Sequence, residues 1–189
     1  MSAESLPASS SPEELRASPE QSTSEFNEEG VFDSELPVVV DDVEFVERAV
    51  GKEHVAAGGR LKWQALRPRP NEDGASVIRQ RIGDDAVKNT AVRVKNNYRG
   101  LAECSVEVAR DGGLAVVDVR RKDDYEGHAE ILFQTFPEPL EPYEPHEAND
   151  DSAEASRYYR SYLRLFRFEL DPAPDEEGWS GRPLGRHVA

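Results

Sequence analysis

The acidic side chains of this chain are concentrated at its two ends. Residues 1–55 hold 14 acidic and 3 basic side chains, a net charge of −11, and residues 137–189 hold 12 and 6, a net charge of −6. Residues 56–136 hold 12 acidic and 14 basic side chains, a net charge of +2, so the three blocks add to the −15 of the whole chain. Segments with high net charge and few apolar residues bury too little surface to offset the entropy lost on folding. The charge pattern therefore predicts one folded core between acidic ends.

The composition within these blocks predicts where the folded part begins and ends. Residues 1–35 are rich in Ser, Glu and Pro, which predicts a disordered acidic N-terminal arm. Residues 36–170 are expected to form a single domain, in which the proline-rich residues 136–148 form a linker before a C-terminal helix. Residues 171–189 are rich in Asp, Glu, Gly and Pro, and we expect them to form a flexible tail.

Cysteine usage and hydropathy indicate the compartment. Cys104 is the only cysteine, so no intramolecular disulfide can form, which favours a reducing environment. Residues 1–11 contain neither the basic nor the apolar part of a signal peptide, and no apolar run approaches the ~20 residues of a membrane span. The sequence predicts a cytoplasmic protein without a membrane partner.

Short apolar runs separated by Gly and Pro predict an α+β fold. We expect a small, mainly antiparallel sheet of four or five strands, with two or three helices. The strongest strand signal is Leu-Ala-Val-Val-Asp-Val at residues 114–119, which is rich in β-branched residues and follows two glycines. Other candidate strands are residues 36–40, 60–66, 75–78, 101–108 and 129–133. Candidate helices are residues 41–50 and 84–95, the second of which also allows a strand, with a turn or short helix at residues 107–112.

The clearest helix is predicted at residues 153–168. Large apolar side chains recur on one broad face at helical spacing, namely Tyr158, Tyr159, Tyr162, Leu163, Leu165 and Phe166. A narrow stripe on the opposite face consists of Arg157, Arg160, Arg164 and Arg167. The apolar face either folds back across the sheet of its own domain or binds a partner or a second copy. In both cases the arginine stripe is available to an acidic partner or to the chain's own acidic ends.

A second group of basic residues suggests a different function, nucleic-acid binding. Clustered cations can hold phosphates while an aromatic ring stacks on a base, and Trp63 and Tyr98 lie among the basic residues of this group. The whole-chain charge of −15 opposes this function because it repels nucleic acid at long range. The basic residues are Arg60, Lys62, Arg67, Arg69, Arg79, Arg81, Arg93, Lys95 and Arg99.

Catalytic and metal-binding patterns are weak. The histidines, at positions 54, 128, 146 and 187, lack the close His or Cys spacing of zinc sites, so we predict neither a metal nor another cofactor. Cys104 becomes a candidate nucleophile only if His128 lies on a neighbouring strand, and the alternative interpretation of this cysteine is a small buried hydrophobe. The carboxylates near His128 fit a solvated acidic turn as well as an acid–base site.

Two segments show a family resemblance. The first is Leu-Arg-Pro-Arg-Pro at residues 66–70, followed by Asp-Gly-Ala-Ser-Val at residues 73–77, and the second ends in Gly-His-Ala-Glu-Ile at residues 127–131. Residues 60–133 thus resemble a group of uncharacterised bacterial small proteins that share an Arg-Pro segment before an Asp-Gly-x-Ser-Val step and a later strand containing His-Ala. The resemblance implies a small prokaryotic domain and draws attention to His128, and it implies no activity.

The leading functional prediction is a non-catalytic accessory or protein-interaction protein of a prokaryotic system, whose surface and acidic ends engage a protein partner. The alternative is a nucleic-acid-binding domain shielded by its own acidic ends, and the third hypothesis is a small hydrolase that uses Cys104 or His128. The candidate binding residues are Arg60, Lys62, Trp63, Arg67, Arg69, Arg157, Arg160, Arg164, Arg167 and His128.

Overall fold

The computed structural model of the chain describes residues 36–69, 74–120, 124–133 and 153–185. The predicted acidic arm, residues 1–35, and the predicted linker, residues 136–148, lie outside the described residues. Within the described ranges the chain forms one six-stranded sheet and three α-helices.

The sheet is antiparallel throughout. Its strands are β1 (Phe45–Gly51), β2 (Ala75–Arg79), β3 (Tyr98–Ser105), β4 (Leu114–Asp118), β5 (His128–Phe133) and β6 (Arg167–Leu170). They lie in the order β4-β5-β2-β1-β3-β6, and each neighbouring pair is antiparallel. The predicted α+β class is therefore confirmed, with a sheet slightly larger than the four or five strands expected.

The helices are α1 (Asp84–Val94), α2 (Val106–Asp111) and α3 (Ala153–Leu163), and short 3-10 helices occur at Lys52–His54, Trp63–Leu66 and Gln80–Ile82. Helix α1 follows Gly83, whose φ of 94° suits glycine. Asp84 and Asp85 lie in its first turn, where negative charge stabilises a helix. The predictions for residues 75–78, 84–95, 107–112, 114–119 and 129–133 are confirmed within a few residues of each boundary.

Both faces of the sheet are covered. Side chains alternate between the faces of a strand, and on the first face Val46 and Cys104 join a core cluster that includes Tyr159 of α3. On the second face, Ile78 belongs to a cluster with Val87 of α1. The sheet is therefore a middle layer with α3 on one side and α1 on the other.

Helix α3 folds back onto its own domain, which decides between the two predicted alternatives. Tyr159 is fully buried and stacks on Trp63, with ring centroids 6.0 Å apart and an interplanar angle of 9°. Phe133 meets Tyr159 and Tyr162 edge to face at 5.2 and 5.4 Å. The helix ends at Leu163 instead of continuing to residue 168, because the following residues form β6 and pair with β3.

Three predictions for the N-terminal half are wrong. Residues 41–50 do not form a helix, because Phe45–Gly51 forms β1 and pairs along its whole length with β3. Residues 36–40 do not form a strand, and carbonyl oxygens of this segment accept hydrogen bonds from arginines. Residues 60–66 form an isolated bridge at Leu61 and the 3-10 helix Trp63–Leu66. The strand predicted at residues 60–66 requires buried and exposed side chains to alternate. The adjacent residues Ala65 and Leu66 are instead both buried.

Residues 171–185 contact the domain, in contrast to the predicted flexible tail. Asp171 is buried and forms an ion pair with the buried Lys88 of α1. Leu184 is only 5% exposed and belongs to the cluster under α1. A carboxylate paired with a buried lysine holds the chain in place where composition alone indicates mobility.

Candidate interaction surface

The valine segment, residues 36–43, is held to the domain by its own carbonyl oxygens. Arg79 is fully buried at the end of β2, and its guanidinium donates to the carbonyl oxygens of Pro37 at 2.5 Å and Val39 at 3.5 Å. The same guanidinium forms ion pairs with Glu44 and Asp118, each at 2.7 Å. With its Nε donating to Glu44 as well, at 2.9 Å, all five donors of Arg79 are used.

Two further arginines hold the same segment. Arg120 donates to the carbonyl oxygen of Leu36 at 2.5 Å, and its Nε binds Asp118 at 2.6 Å. Arg110 of α2 donates to the carbonyl oxygen of Val40 at 2.9 Å. Guanidinium groups present several fixed donors in one plane. The three arginines therefore fix the path of the backbone, and their hydrogen bonds to this segment go to carbonyl oxygens only.

We call Arg79, Arg110 and Arg120 the arginine clamp. At its centre, Arg79 and the carboxylate of Glu44 stabilise each other's charged forms. Burial alone raises the pKa of Glu44, but its hydrogen bonds to Arg79 and the Asp41 backbone, with the arginine charge, hold that pKa below the usual value. Burial lowers the pKa of Arg79, and its hydrogen bonds and ion pairs with Glu44 and Asp118 outweigh this effect and raise it. Glu44 and Arg79 therefore both stay ionised at neutral pH.

The valine segment directs apolar side chains into solvent. Val38 is 67% exposed, Val39 56% and Val43 80%, whereas Val40 is buried in the core. Val43 lies in a turn closed by a hydrogen bond from the Glu44 backbone N–H to the Asp41 carbonyl oxygen, at 3.0 Å. The three exposed valines lie within six residues on a backbone that is hydrogen-bonded at almost every step.

The predicted basic residues near residue 60 do not surround an available aromatic ring. Arg60, Lys62 and Arg69 are exposed. Trp63 is 6% exposed, with Tyr159 stacked on it and the Arg67 guanidinium carbon 5.0 Å from its ring centroid. Arg69 lies near the end of α1, donating to the Val94 carbonyl oxygen at 3.4 Å. A ring enclosed in this way cannot stack on a base without displacing Tyr159.

The predicted arginine stripe lies on α3 and just beyond it. Arg157, Arg160 and Arg164 are exposed, as expected for the face opposite Tyr159. Arg167 belongs to β6 instead of the helix and lies 3.6 Å from Glu169. The stripe is therefore three exposed side chains on the outer face of the domain.

Cys104 and His128 cannot act together. They lie on opposite faces of the sheet, and β1 and β2 separate their strands. Burial, with the charges of Glu47 and Glu103, raises the pKa of Cys104 to about 12. The Nδ1 of His128 lies 2.5 Å from Asp124, and its buried Nε2 has no hydrogen-bond partner among the described residues.

The comparisons with known proteins place this chain in no group. No protein-family model, curated protein or solved structure gives a significant match to it. The resemblance of residues 60–133 to uncharacterised bacterial proteins stays a prediction. In the described ranges, no helix has both the length and the apolar character needed to cross a bilayer, and no group of three or more His, Cys, Asp or Glu side chains could hold a metal ion.

The valine segment is visible in the sequence as an apolar run, but its role is not. The run Leu-Pro-Val-Val-Val at residues 36–40 reads as a strand because it is β-branched. Pro37 within the run, and two aspartates directly after it, are the signals against a paired strand. The arginines that hold it lie between 40 and 84 residues away in the sequence, so their role could not be deduced from local pattern.

Proposed function

We propose that this chain is a protein-interaction protein that binds its partner through the valine segment. The observation that carries the proposal is the arginine clamp: three arginines hold the backbone of residues 36–40 while Val38, Val39 and Val43 remain in solvent. A soluble domain gains nothing for its own core from these three side chains. Exposed apolar groups on a fixed backbone are typical of binding surfaces.

The rigidity of the segment favours binding over a merely tolerated exposure. Ordering a loop on association costs conformational entropy, and a segment that is already ordered avoids that cost. The turn at Asp41 adds to the clamp, because the Glu107 backbone N–H donates to the Asp42 carbonyl oxygen at 3.2 Å and ties the turn to α2. Burial of three valines contributes roughly 1.5–3 kcal/mol each if complete.

Charge around the segment indicates the chemistry of the partner. Residues 1–35 carry nine acidic side chains and one basic side chain, a net charge of −8, and they lead directly into the valine segment. Asp41 and Asp42 follow the valines, and the Asp42 side chain is 61% exposed while it pairs with Arg110. The partner surface that complements this arrangement has an apolar recess bordered by basic residues.

Nucleic-acid binding is the less favoured function. Its stacking residue, Trp63, is buried against Tyr159, and Arg67 lies over the same ring. The exposed basic residues near residue 60 and on α3 remain in its favour. They are also suited to an acidic protein surface, which a phosphate-binding assay distinguishes.

The test compares the full chain with a variant carrying Val38→Ser, Val39→Ser and Val43→Ser. Proteins captured from an extract of the source cells are identified, purified and titrated against both chains. We expect a direct partner whose affinity falls roughly 100-fold in the variant, from about 1 kcal/mol lost at each valine. High salt should also weaken the wild-type complex, because the partner carries basic residues.

A matched control replaces exposed valines elsewhere. Val92→Ser on α1 and Val117→Ser on β4, with the wild-type side chains 44% and 37% exposed, should leave the affinity unchanged. A partner that binds the triple variant as tightly as the wild type contradicts the proposal. So does a chain whose purified form binds only nucleic acid.

A further inference from the structure

The C-terminal strap, residues 178–185, is held to the domain mainly by acceptors that the domain supplies. Four of its backbone N–H groups donate to side-chain oxygens of α1 and β3, at 2.6 to 3.4 Å. These pairs are Gly178 with Asn89, Trp179 with Asp85, Leu184 with Asp84, and Gly185 with Glu103. Every peptide offers backbone N–H groups of this kind, so this part of the recognition does not depend on the strap's own sequence.

Two side chains of the strap give the contact its specificity. Arg182 pairs with Glu169 of β6 through two bonds, Nε to Oε1 at 3.0 Å and Nη2 to Oε2 at 3.1 Å. This two-point geometry selects a guanidinium over an ammonium group. Leu184 is 5% exposed and packs in the cluster that contains Ile78 and Val87.

The position after the leucine also has a specific requirement. Gly185 has a φ of +68°, which disfavours residues with a Cβ. A Cβ at this position would lie 3.0 Å from the Gln80 side chain and 3.3 Å from that of Phe45. The strap therefore presents an arginine, then a leucine two residues later, then a glycine, and each of the three meets a distinct feature of the domain.

One acceptor of this groove lacks a donor. Glu47 of β1 is fully buried, and neither of its carboxylate oxygens accepts a hydrogen bond from a described residue. Burial raises its pKa well above the usual value, and the nearby carboxylates Glu103, Asp84 and Glu169 add to this effect. Those three carboxylates also hold the strap, so Glu47 lies next to the same groove.

The strap is attached in a way that permits release. Ser180, Arg182 and Pro183 are exposed, Leu184 is the one buried side chain of the strap, and Trp179 packs against the same cluster while remaining partly exposed. Segments with few buried apolar contacts open at low free-energy cost while the rest of a domain stays folded. The groove beneath the strap would then offer the four carboxylates that bind the strap, the carboxyl group of Glu47 beside them, and an apolar recess.

We propose that the groove between α1 and strands β1, β3 and β6 is a peptide-binding site for a partner segment with the pattern Arg-x-Leu-Gly, and that the C-terminal strap occupies it in cis. This site is separate from the valine segment and does not depend on the function proposed above. Because the strap is tethered, its effective concentration is about millimolar. The strap therefore competes with a partner peptide for the groove. The peptide binds when the strap's own contacts are weakened, or when a second contact with the partner offsets this competition.

The experiment uses full-length chains and a fluorescent synthetic peptide with the sequence of residues 178–185. The released variant carries Arg182→Glu, which places a negative charge against Glu169, and Leu184→Ser, which removes the apolar anchor. We expect fluorescence anisotropy to show at least a tenfold higher affinity for the released variant than for the wild type. A Ser180→Ala chain is the matched control and should behave like the wild type.

Two further arms test the pattern. A peptide with alanine at the position of Arg182 should bind the released variant roughly tenfold more weakly. Glu169→Gln in the released background should give the same loss with the unaltered peptide. If the released variant is folded in thermal melts and its affinity for the peptide is no higher than that of the wild type, the proposal is wrong.

Hydrogen exchange of the wild type covers the case in which the released variant does not fold. The amides of Trp179, Leu184 and Gly185 should exchange through a local opening, while those of β1 and β3 stay protected. Exchange of the strap amides only on global unfolding would show that the strap is an integral part of the core. That result overturns the proposal without bearing on the valine segment.

Discussion

The valine segment and the C-terminal strap are attached to the same domain by opposite halves of the peptide group. The domain holds the valine segment with arginines that donate to its carbonyl oxygens. It holds the strap with carboxylates that accept from its N–H groups. The first attachment centres on the fully buried Arg79, whereas Arg182 of the strap is exposed. A buried, fully paired charge fixes a segment, and an exposed one allows exchange with solvent.

The largest expected effect comes from breaking the arginine clamp. Arg79→Met removes the buried cation that Glu44 and Asp118 share and leaves them only Arg81 and Arg120, so we expect a loss of about 4 kcal/mol in the free energy of unfolding. Chemical denaturation measures it. The control is Arg81→Met, which removes a half-exposed partner 3.4 Å from Glu44 and should cost far less. Equal losses in the two variants would show that the clamp does not depend on burial.

The second effect concerns the anchor that precedes the strap. Asp171→Asn keeps the shape of the side chain but leaves the buried Lys88 without a counter-charge, and the expected loss is about 3 kcal/mol. Asp175→Asn, at an exposed position, is the control. If Lys88→Met in the Asp171→Asn background recovers part of the loss, the cause is the unpaired charge. If it does not, packing is responsible.

The third effect depends on pH and separates the two segments. Because the pKa of Glu47 is raised above its usual 4.5, the folded state retains that proton after the unfolded state has released it. Stability from this group is present at low pH and declines as pH rises towards the folded pKa, by at most about 1.4 kcal/mol per pH unit. Glu47→Gln should remove this decline, whereas Glu107→Gln on the exposed side of α2 should not.

The same titration should act on the strap and leave the valine segment unaffected. Ionised Glu47 adds a charge to the carboxylates that hold the strap, so hydrogen exchange at Leu184 should accelerate with pH beyond the intrinsic base dependence. The amide of Val43, measured in the same samples, should follow the intrinsic dependence alone. A parallel acceleration at both positions would mean that Glu47 affects the whole sheet.

The smallest expected effect is that of the exposed ion pair. Arg182→Ala should change the thermal midpoint only slightly, because solvent screens this pair with Glu169. Exchange at Leu184 should nevertheless become faster, and added salt should speed it in the wild type but not in the variant. A large fall in the midpoint would show that the strap contributes to global stability as strongly as the clamp does.

The local sequence pattern is sufficient to predict those strands and helices whose signal lies within a few adjacent residues. Strand β4 follows two glycines and is rich in valine, and α1 begins at two aspartates after a glycine, so both could be predicted. Strand β6 could not, because Arg167 continues the helical spacing of the arginine stripe. Strand β1 was mistaken for a helix because valines 43, 46 and 50 are three and four residues apart.

The candidate surfaces depend on long-range pairing, which a single sequence does not reveal. Exposure of the valines follows from hydrogen bonds to arginines at least 40 residues away. The strap groove is built from β1, β3, β6 and α1, and its carboxylates are ordinary surface residues when considered one at a time. For Trp63, long-range packing removes a predicted function. Its position among basic residues predicts stacking on a base, but Tyr159, nearly a hundred residues later in the chain, covers its ring.

The ion pair between Lys88 and Asp171 constrains the order in which the protein can be completed during synthesis. The two residues are 83 positions apart, and a lysine enclosed without its carboxylate is strongly destabilised. We therefore expect α1 to pack stably on the sheet only after residue 171 has left the ribosome. Until then the nascent chain would expose the apolar face that α1 covers.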